Sequence, residues 1–126
     1  MSGQVRFLLI NGSRDDHWHV VLEEALAPLG TLRIETEESA LKPAQLDGYD
    51  LLIIDSTVVQ DVPSLVARIR AHYPVARIIV TTASPTWRRA REAFQIGAID
   101  YIRKSLDRDE IRFAVRTAID KNVPGA

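Results

Sequence analysis

The segment Leu51-Leu52-Ile53-Ile54-Asp55 is the clearest indication of the fold, because four consecutive aliphatic residues lead directly into a carboxylate. A strand with one face in solvent alternates apolar and polar residues, whereas this run is apolar on both faces. We therefore predict a strand over Asp50–Asp55 that is buried on both sides. Such strands are typical of parallel sheets that lie between two layers of helices.

Strand-like and helical patterns alternate on either side of this stretch. Strands are predicted over Val5–Ile10, Thr31–Thr36, Asp50–Asp55, Ala76–Thr82 and Ile99–Ile102. Helices are predicted from about Asp16 to Leu29, weakly over Ala40–Leu46, over Val62–Tyr73, from a Ser84-Pro85 start to Gly97, and from an Asp107–Glu110 capping box to Ile119. Five strands alternating with five helices predict an α/β fold whose strands run parallel.

Composition narrows the class of protein. The chain has 126 residues, of which 46% are apolar and 26% charged, with a net charge of −1 and no cysteine. These values are typical of one folded domain and exclude disulfides and thiolate metal sites. The chain has neither the excess of basic residues that is typical of nucleic-acid-binding proteins nor an apolar run long enough to span a membrane. We expect a soluble, cytoplasmic single domain over residues 1–126, with a core at about 5–122 and a tail or linker at 123–126.

Three strand ends carry chemically useful side chains. Ligands bind open parallel sheets beyond the carboxyl ends of the strands, where we place Asp55, Thr82 and Lys104. A carboxylate, a hydroxyl and an ammonium together suit phosphoryl transfer to Asp55 as the nucleophile. Thr82 would donate a hydrogen bond to a phosphoryl oxygen, and Lys104 would neutralise charge there. The residues alone leave open a second interpretation, in which Asp55 and Lys104 are only a structural ion pair.

Three segments resemble the receiver domain of two-component response regulators. Leu51–Asp55 resembles the phosphoacceptor strand, Ile78–Ala83 resembles the fourth strand, and Gly97–Lys104 resembles the segment with the switch aromatic and the essential lysine. The resemblance extends from about Val5 to Asn122. It implies a flavodoxin-like, doubly wound sheet of five strands in the order 2-1-3-4-5.

The resemblance also implies roles and partners. Asp55 would be the phosphoacceptor, Thr82 the signalling hydroxyl, Lys104 the phosphate-sensing lysine and Tyr101 the switch aromatic. The phosphoryl group would come from a histidine kinase or a phosphotransfer protein. The face made by the fourth helix, fifth strand and fifth helix would contact an output domain, a partner protein or a second copy of the chain. Such a domain signals rather than acting as an enzyme, beyond gaining and losing its own phosphoryl group.

The predicted metal site departs from the family pattern. Receivers hold Mg²⁺ partly through an acidic pair after the first strand, and here Asn11 and Gly12 take those places. The remaining ligands implied by the resemblance are Asp55 and the backbone carbonyl of Thr57. Because Mg²⁺ prefers carboxylate oxygens, we expect a weakened site.

Two further acidic residues lie close to the altered pair. Asp15 and Asp16 could replace the missing carboxylates, because the loop before the first helix is about two residues longer than in the family. The alternative is that they are ordinary first-turn carboxylates, favoured by the helix dipole.

The segment after the predicted lysine also departs from the family. Ser105 follows Lys104 where receivers carry a cis proline, so we expect a trans bond and a changed course for Lys104. The departures keep two alternatives open. One is a phosphorylation-independent pseudo-receiver that acts as a protein–protein interaction module. The other is an unrelated flavodoxin-like ligand-binding domain or enzyme.

Overall fold

The computed structural model describes residues 4–10, 17–42 and 48–121. The strands are β1 (Val5–Ile10), β2 (Gly30–Glu35), β3 (Leu51–Asp55), β4 (Ile78–Thr82) and β5 (Asp100–Arg103). The helices are α1 (Trp18–Leu26), α2 (Glu37–Ala40), α3 (Val62–His72), α4 (Trp87–Gln95) and α5 (Arg108–Ile119). Within these ranges no helix has the length and apolar content that a membrane span requires.

All five strands form one parallel sheet in the order β2-β1-β3-β4-β5, which confirms the predicted fold and strand order. The register pairs Asp55 with Thr81, and Thr82 with Arg103. Because the carboxyl ends of parallel strands lie at the same edge of a sheet, Asp55, Thr82 and Lys104 all lie at that edge.

The core lies in two layers, one on each side of the sheet. Every residue of β3 is buried, as its apolar run predicts. Leu51 and Ile53 pack in a cluster with residues of α1 and α5. Leu52 and Ile54 pack in another cluster with residues of α3. This separation follows from the alternation of side chains along a strand.

The helix α2 occupies Glu37–Ala40, and the Thr36 side chain caps it by accepting a hydrogen bond from the Ser39 amide. Most of the helix predicted over Ala40–Leu46 lies outside the described residues, at positions 43–46.

The start of α4 differs from its prediction because a neighbouring hydroxyl acts as a cap. The fourth helix begins after Thr86, whose hydroxyl oxygen accepts from the Arg89 amide, and not at Ser84-Pro85. A side-chain oxygen at the N-cap satisfies an amide that the helix itself leaves unpaired.

Only half of the predicted capping box at the fifth helix forms. The Asp107 carboxylate accepts hydrogen bonds from the Asp109 and Glu110 amides. The Glu110 carboxylate does not return to Asp107 but contacts Ser105 Oγ and the Arg103 guanidinium, each at 3.2 Å. The start of α5 is therefore tied to the end of β5.

A close approach of two strands explains the glycine at the start of β2. A Cβ atom built on Gly30 would lie 1.8 Å from the backbone oxygen of Val5 on β1. We expect Gly30→Ala to lower the free energy of unfolding by at least about 2 kcal/mol, because the strand backbones must separate to admit the methyl group. Urea denaturation measures the effect. Thr31→Ala, at the exposed next position, is the control; equal stability of the two variants would contradict the steric account.

Candidate functional site

Asp55 and Lys104 form a buried ion pair at the carboxyl edge of the sheet. Lys104 Nζ lies 2.9 Å from Asp55 Oδ2. The lysine side chain is 7% exposed and the aspartate 0% exposed. A buried carboxylate is costly unless it is paired and hydrogen-bonded, so this contact accounts for an acidic residue at the end of an otherwise apolar strand.

The turn that follows β3 provides further donors to Asp55. The Thr57 amide donates to Asp55 Oδ1 at 3.0 Å. The amides of Val58 and Val59 donate to the Asp55 backbone oxygen, at 3.1 and 2.9 Å. The turn therefore fixes both the backbone and the carboxylate of Asp55, with one oxygen directed to Lys104 and the other to an amide.

Lys104 reaches Asp55 although no proline follows it. Its amide donates to the Thr82 backbone oxygen at 2.8 Å, which joins the residue to the end of β4. Its ammonium lies over the Trp18 ring, 5.2 Å from the ring centroid. As expected, the peptide bond before Ser105 is not cis.

Thr82 and Tyr101 line a cleft of about 440 Å³ between the β3–α3 turn, α3, α4 and β5. The Thr82 hydroxyl oxygen accepts from the Ser84 amide at 3.1 Å, which leaves its own proton to donate. Tyr101 is half-buried and packs with Val80 and Ala93. Its hydroxyl is buried and has no hydrogen-bond partner among the described residues.

The four predicted side chains therefore divide between the two sides of the sheet. Asp55 follows the alternation of Leu51 and Ile53 towards α1 and α5, and Lys104 meets it there beside Trp18. Thr82 and Tyr101 face the cleft beside α4. The structure pairs Asp55 with Lys104 and keeps the other two side chains in the adjoining cleft.

The metal ligands predicted from the sequence are only partly described. The Asp55 carboxylate stands beside the Thr57 backbone, and both offer the hard oxygen atoms that Mg²⁺ prefers. Asn11, Gly12, Asp15 and Asp16 lie outside the described residues. In the part of the chain that is described, no three His, Asp or Glu side chains cluster as a metal site.

One contact of the site has no signature in the sequence. Trp18 is buried, but its indole N–H also donates to the Ser105 backbone oxygen at 2.8 Å. These residues are 87 positions apart, and the acceptor is a backbone atom. No local pattern could therefore identify the pair, although the presence of an indole donor at a core position offered a hint.

Comparisons with known proteins agree on one family. Residues 18–116 match the family described as the response regulator receiver domain. The chain is 37% identical, over 109 residues and 84% of its length, to the DNA-binding transcriptional regulator NtrC of Azospirillum brasilense. It spans only 23% of the length of that relative.

Solved structures share the fold. A response regulator from Thermotoga maritima superposes with a TM-score of 0.82 at 21% identity, covering 94% of this chain and 100% of that one. The signal receiver domain of an HD domain-containing protein from Pseudomonas fluorescens gives a TM-score of 0.73 at 27% identity, covering 94% and 96% of the two chains.

Removal of one member of the buried ion pair should be more harmful than removal of both. We expect Lys104→Met to lower the free energy of unfolding by about 3–5 kcal/mol, because the Asp55 carboxylate stays buried without its cation. Asp55→Asn combined with Lys104→Met should recover most of that loss. Chemical denaturation of the single and double variants measures both effects.

Lys121→Met is the matched control, since Lys121 pairs with Asp100 at 3.1 Å in a partly exposed position. This change should cost less than about 1 kcal/mol. Strictly additive effects of Lys104→Met and Asp55→Asn would contradict a coupled ion pair.

Proposed function

We propose that this chain, which belongs to the response regulator receiver domain family, accepts a phosphoryl group on Asp55 from a histidine kinase or a phosphotransfer protein. The observation that carries the proposal is the buried contact of Asp55 Oδ2 with Lys104 Nζ at 2.9 Å. It combines a nucleophile and a positive charge at the sheet edge where ligands of this fold class bind.

The transfer exchanges one bond to phosphorus for another. An oxygen of the Asp55 carboxylate bonds to phosphorus while the phosphorus–nitrogen bond of the donor phosphohistidine breaks. The departing imidazole keeps the electron pair and takes up a proton from water. Lys104 moves its ammonium from the carboxylate to a phosphoryl oxygen, because the added group carries more negative charge.

Thr82 and Tyr101 would couple the phosphorylation of Asp55 to a change in the conformation of the protein surface. The Thr82 hydroxyl has a proton to donate and turns from the cleft towards the phosphoryl group. Tyr101 packs in the same cleft and occupies the space that this movement changes. The proposal therefore makes Tyr101 the switch between two states of the surface above it.

The docking surface in this proposal is the α4–β5–α5 face, which would bind an output domain, a partner protein or a second copy of the chain. Trp87 on α4 is 80% exposed, and Phe113 on α5 is 74% exposed. Charged residues of the two helices largely have partners within the chain, including the Arg88–Glu92 and Asp109–Arg112 pairs. We therefore assign the attraction at this face to apolar contact more than to charge.

We further propose Mg²⁺ as the cofactor. The Asp55 carboxylate and the Thr57 backbone carbonyl would hold it, together with Asn11 and with Asp15 or Asp16 as substitutes for the missing acidic pair. When bound, the ion supplies positive charge to the phosphoryl oxygens. In this proposal the chain acts as a single cytoplasmic signalling domain with its core at about residues 5–122.

The second candidate is a pseudo-receiver that binds partner proteins without phosphorylation. The replacement of the acidic pair by Asn11 and Gly12 favours it, because the site loses negative charge that would attract the metal. In that case Asp55 and Lys104 act only as a structural ion pair.

Intact mass after incubation with acetyl phosphate separates the two candidates. We expect the gain of one phosphoryl group that needs both Mg²⁺ and Asp55, because the carboxylate is the nucleophile. Asp55→Asn should abolish the gain, while Asp61→Asn, at the start of α3, should leave it unchanged. No gain at any Mg²⁺ concentration would favour the pseudo-receiver.

Restoration of one carboxylate should strengthen the metal site. We expect Asn11→Asp to lower the Mg²⁺ concentration for half-maximal phosphorylation about tenfold, which corresponds to roughly 1.4 kcal/mol. Gln95→Glu adds the same charge at an exposed position of α4 and should have no effect. If Asn11→Asp changes nothing while Asp15→Asn or Asp16→Asn raises the Mg²⁺ requirement, then the residue whose replacement does so holds the metal.

A further inference from the structure

We propose that Trp18 is a positioning residue, which holds Lys104 against Asp55 by binding the backbone that follows the lysine. Its consequence for phosphoryl transfer rests on the function proposed above. The hold itself is a property of the folded chain and can be tested separately.

The contact joins two distant parts of the chain inside the core. Trp18 is the first residue of α1 and is 4% exposed. Its indole nitrogen donates to the Ser105 backbone oxygen at 2.8 Å. A buried backbone oxygen needs a donor, and here a side chain from another element supplies it.

Lys104 is thereby held on both sides. Before it, the Lys104 amide donates to the Thr82 oxygen at 2.8 Å. After it, the Ser105 oxygen accepts from Trp18. The peptide groups before and after Lys104 are therefore both hydrogen-bonded. This fixes the direction of its Cα–Cβ bond, so that the side chain extends towards Asp55.

Ser105 adds contacts that a proline could not make. Its amide donates to the Arg103 oxygen at 2.9 Å, whereas proline has no amide proton. Its hydroxyl oxygen accepts from the Asp107 amide at 3.0 Å, and its hydroxyl proton is donated to Glu110 at 3.2 Å. Trp18 thus binds a segment that is also attached to the start of α5.

The Trp18 ring also acts on the lysine head group. The Lys104 ammonium lies 5.2 Å from the ring centroid and 2.9 Å from Asp55 Oδ2. A cation over an indole face is attracted to it, and indole is the strongest of the aromatic rings in this respect. The ring and the carboxylate together define where the ammonium lies.

Substitutions at Trp18 can separate this role from simple core filling. Trp18→Phe keeps an aromatic ring in the core but removes the N–H donor. Tyr49→Phe also keeps an aromatic ring and removes its polar hydrogen, and the Arg6 guanidinium lies 4.8 Å from the centroid of that ring. Because Tyr49 precedes β3, at the edge of the sheet opposite Asp55, Tyr49→Phe is the matched control. Circular dichroism and urea denaturation establish that each variant is folded under the assay conditions.

The first experiment measures the rate of phosphoryl gain from acetyl phosphate by intact mass. We expect Trp18→Phe to lower the maximal rate about tenfold, since a small displacement of a positioned group costs roughly that much or more. The apparent Mg²⁺ requirement of Trp18→Phe and the rate of Tyr49→Phe should stay as in the wild type. A folded Trp18→Phe protein with the wild-type rate would overturn the inference.

The second experiment needs no phosphoryl transfer. In the Trp87→Phe background, a ¹H–¹⁵N spectrum reports the Trp18 indole group alone. We expect its proton to exchange slowly with water, and its cross peak to move in Lys104→Met. Rapid exchange together with an unchanged cross peak in Lys104→Met would overturn the inference.

The two experiments distinguish the two proposals. If the wild type gains no phosphoryl group, the proposed function fails, and the indole spectrum still decides whether Trp18 holds Lys104. If the wild type is phosphorylated but Trp18→Phe matches it, the function stands and the positioning role of Trp18 fails.

Discussion

The buried contact between Asp55 and Lys104 is the constraint on which the carboxyl edge of the sheet depends. A fully buried carboxylate at the end of β3 requires a cation and hydrogen-bond donors nearby. Lys104 supplies the cation and the turn after β3 supplies an amide. The Lys104 amide is joined to the end of β4, and Trp18 binds the next peptide group, which in our proposal holds the lysine in place. One ion pair therefore fixes how two strands, a turn and the start of α1 are arranged.

Because side chains alternate along a strand, the residues at this edge of the sheet face two different layers of helices. Asp55 and Lys104 lie towards α1 and α5, whereas Thr82 and Tyr101 face the cleft beside α4. A group added to Asp55 would extend beyond the sheet edge and could be contacted from both sides. In the proposed function, this is how chemistry on one face of the sheet reaches the helices on the other. The Tyr101 hydroxyl, which has no hydrogen-bond partner in the part of the chain that the structure describes, lies in that second region.

Sequence patterns predicted the fold well because burial and periodicity act locally. The run from Leu51 to Ile54 needs two covered faces, and the structure provides them. Helix starts were less predictable, since Thr86 and Ser84 are both plausible caps and only the path of the chain selects one. The strand ends predicted that Asp55 and Lys104 come together, which their contact shows, whereas Thr82 faces the adjoining cleft. The contact of Trp18 with Ser105 could not be predicted, because its acceptor is a backbone oxygen on a distant segment.

The contacts of Ser105 have a consequence for how this chain could change over evolutionary time. A proline fixes its own backbone, whereas Ser105 is held by partners on α1 and α5. Replacement of Trp18 would leave the Ser105 backbone oxygen without this donor inside the core, whereas a proline at position 105 would remove the amide and hydroxyl contacts but keep that oxygen. The conformation of this short loop is therefore set by residues of α1 and α5 as well as by its own sequence.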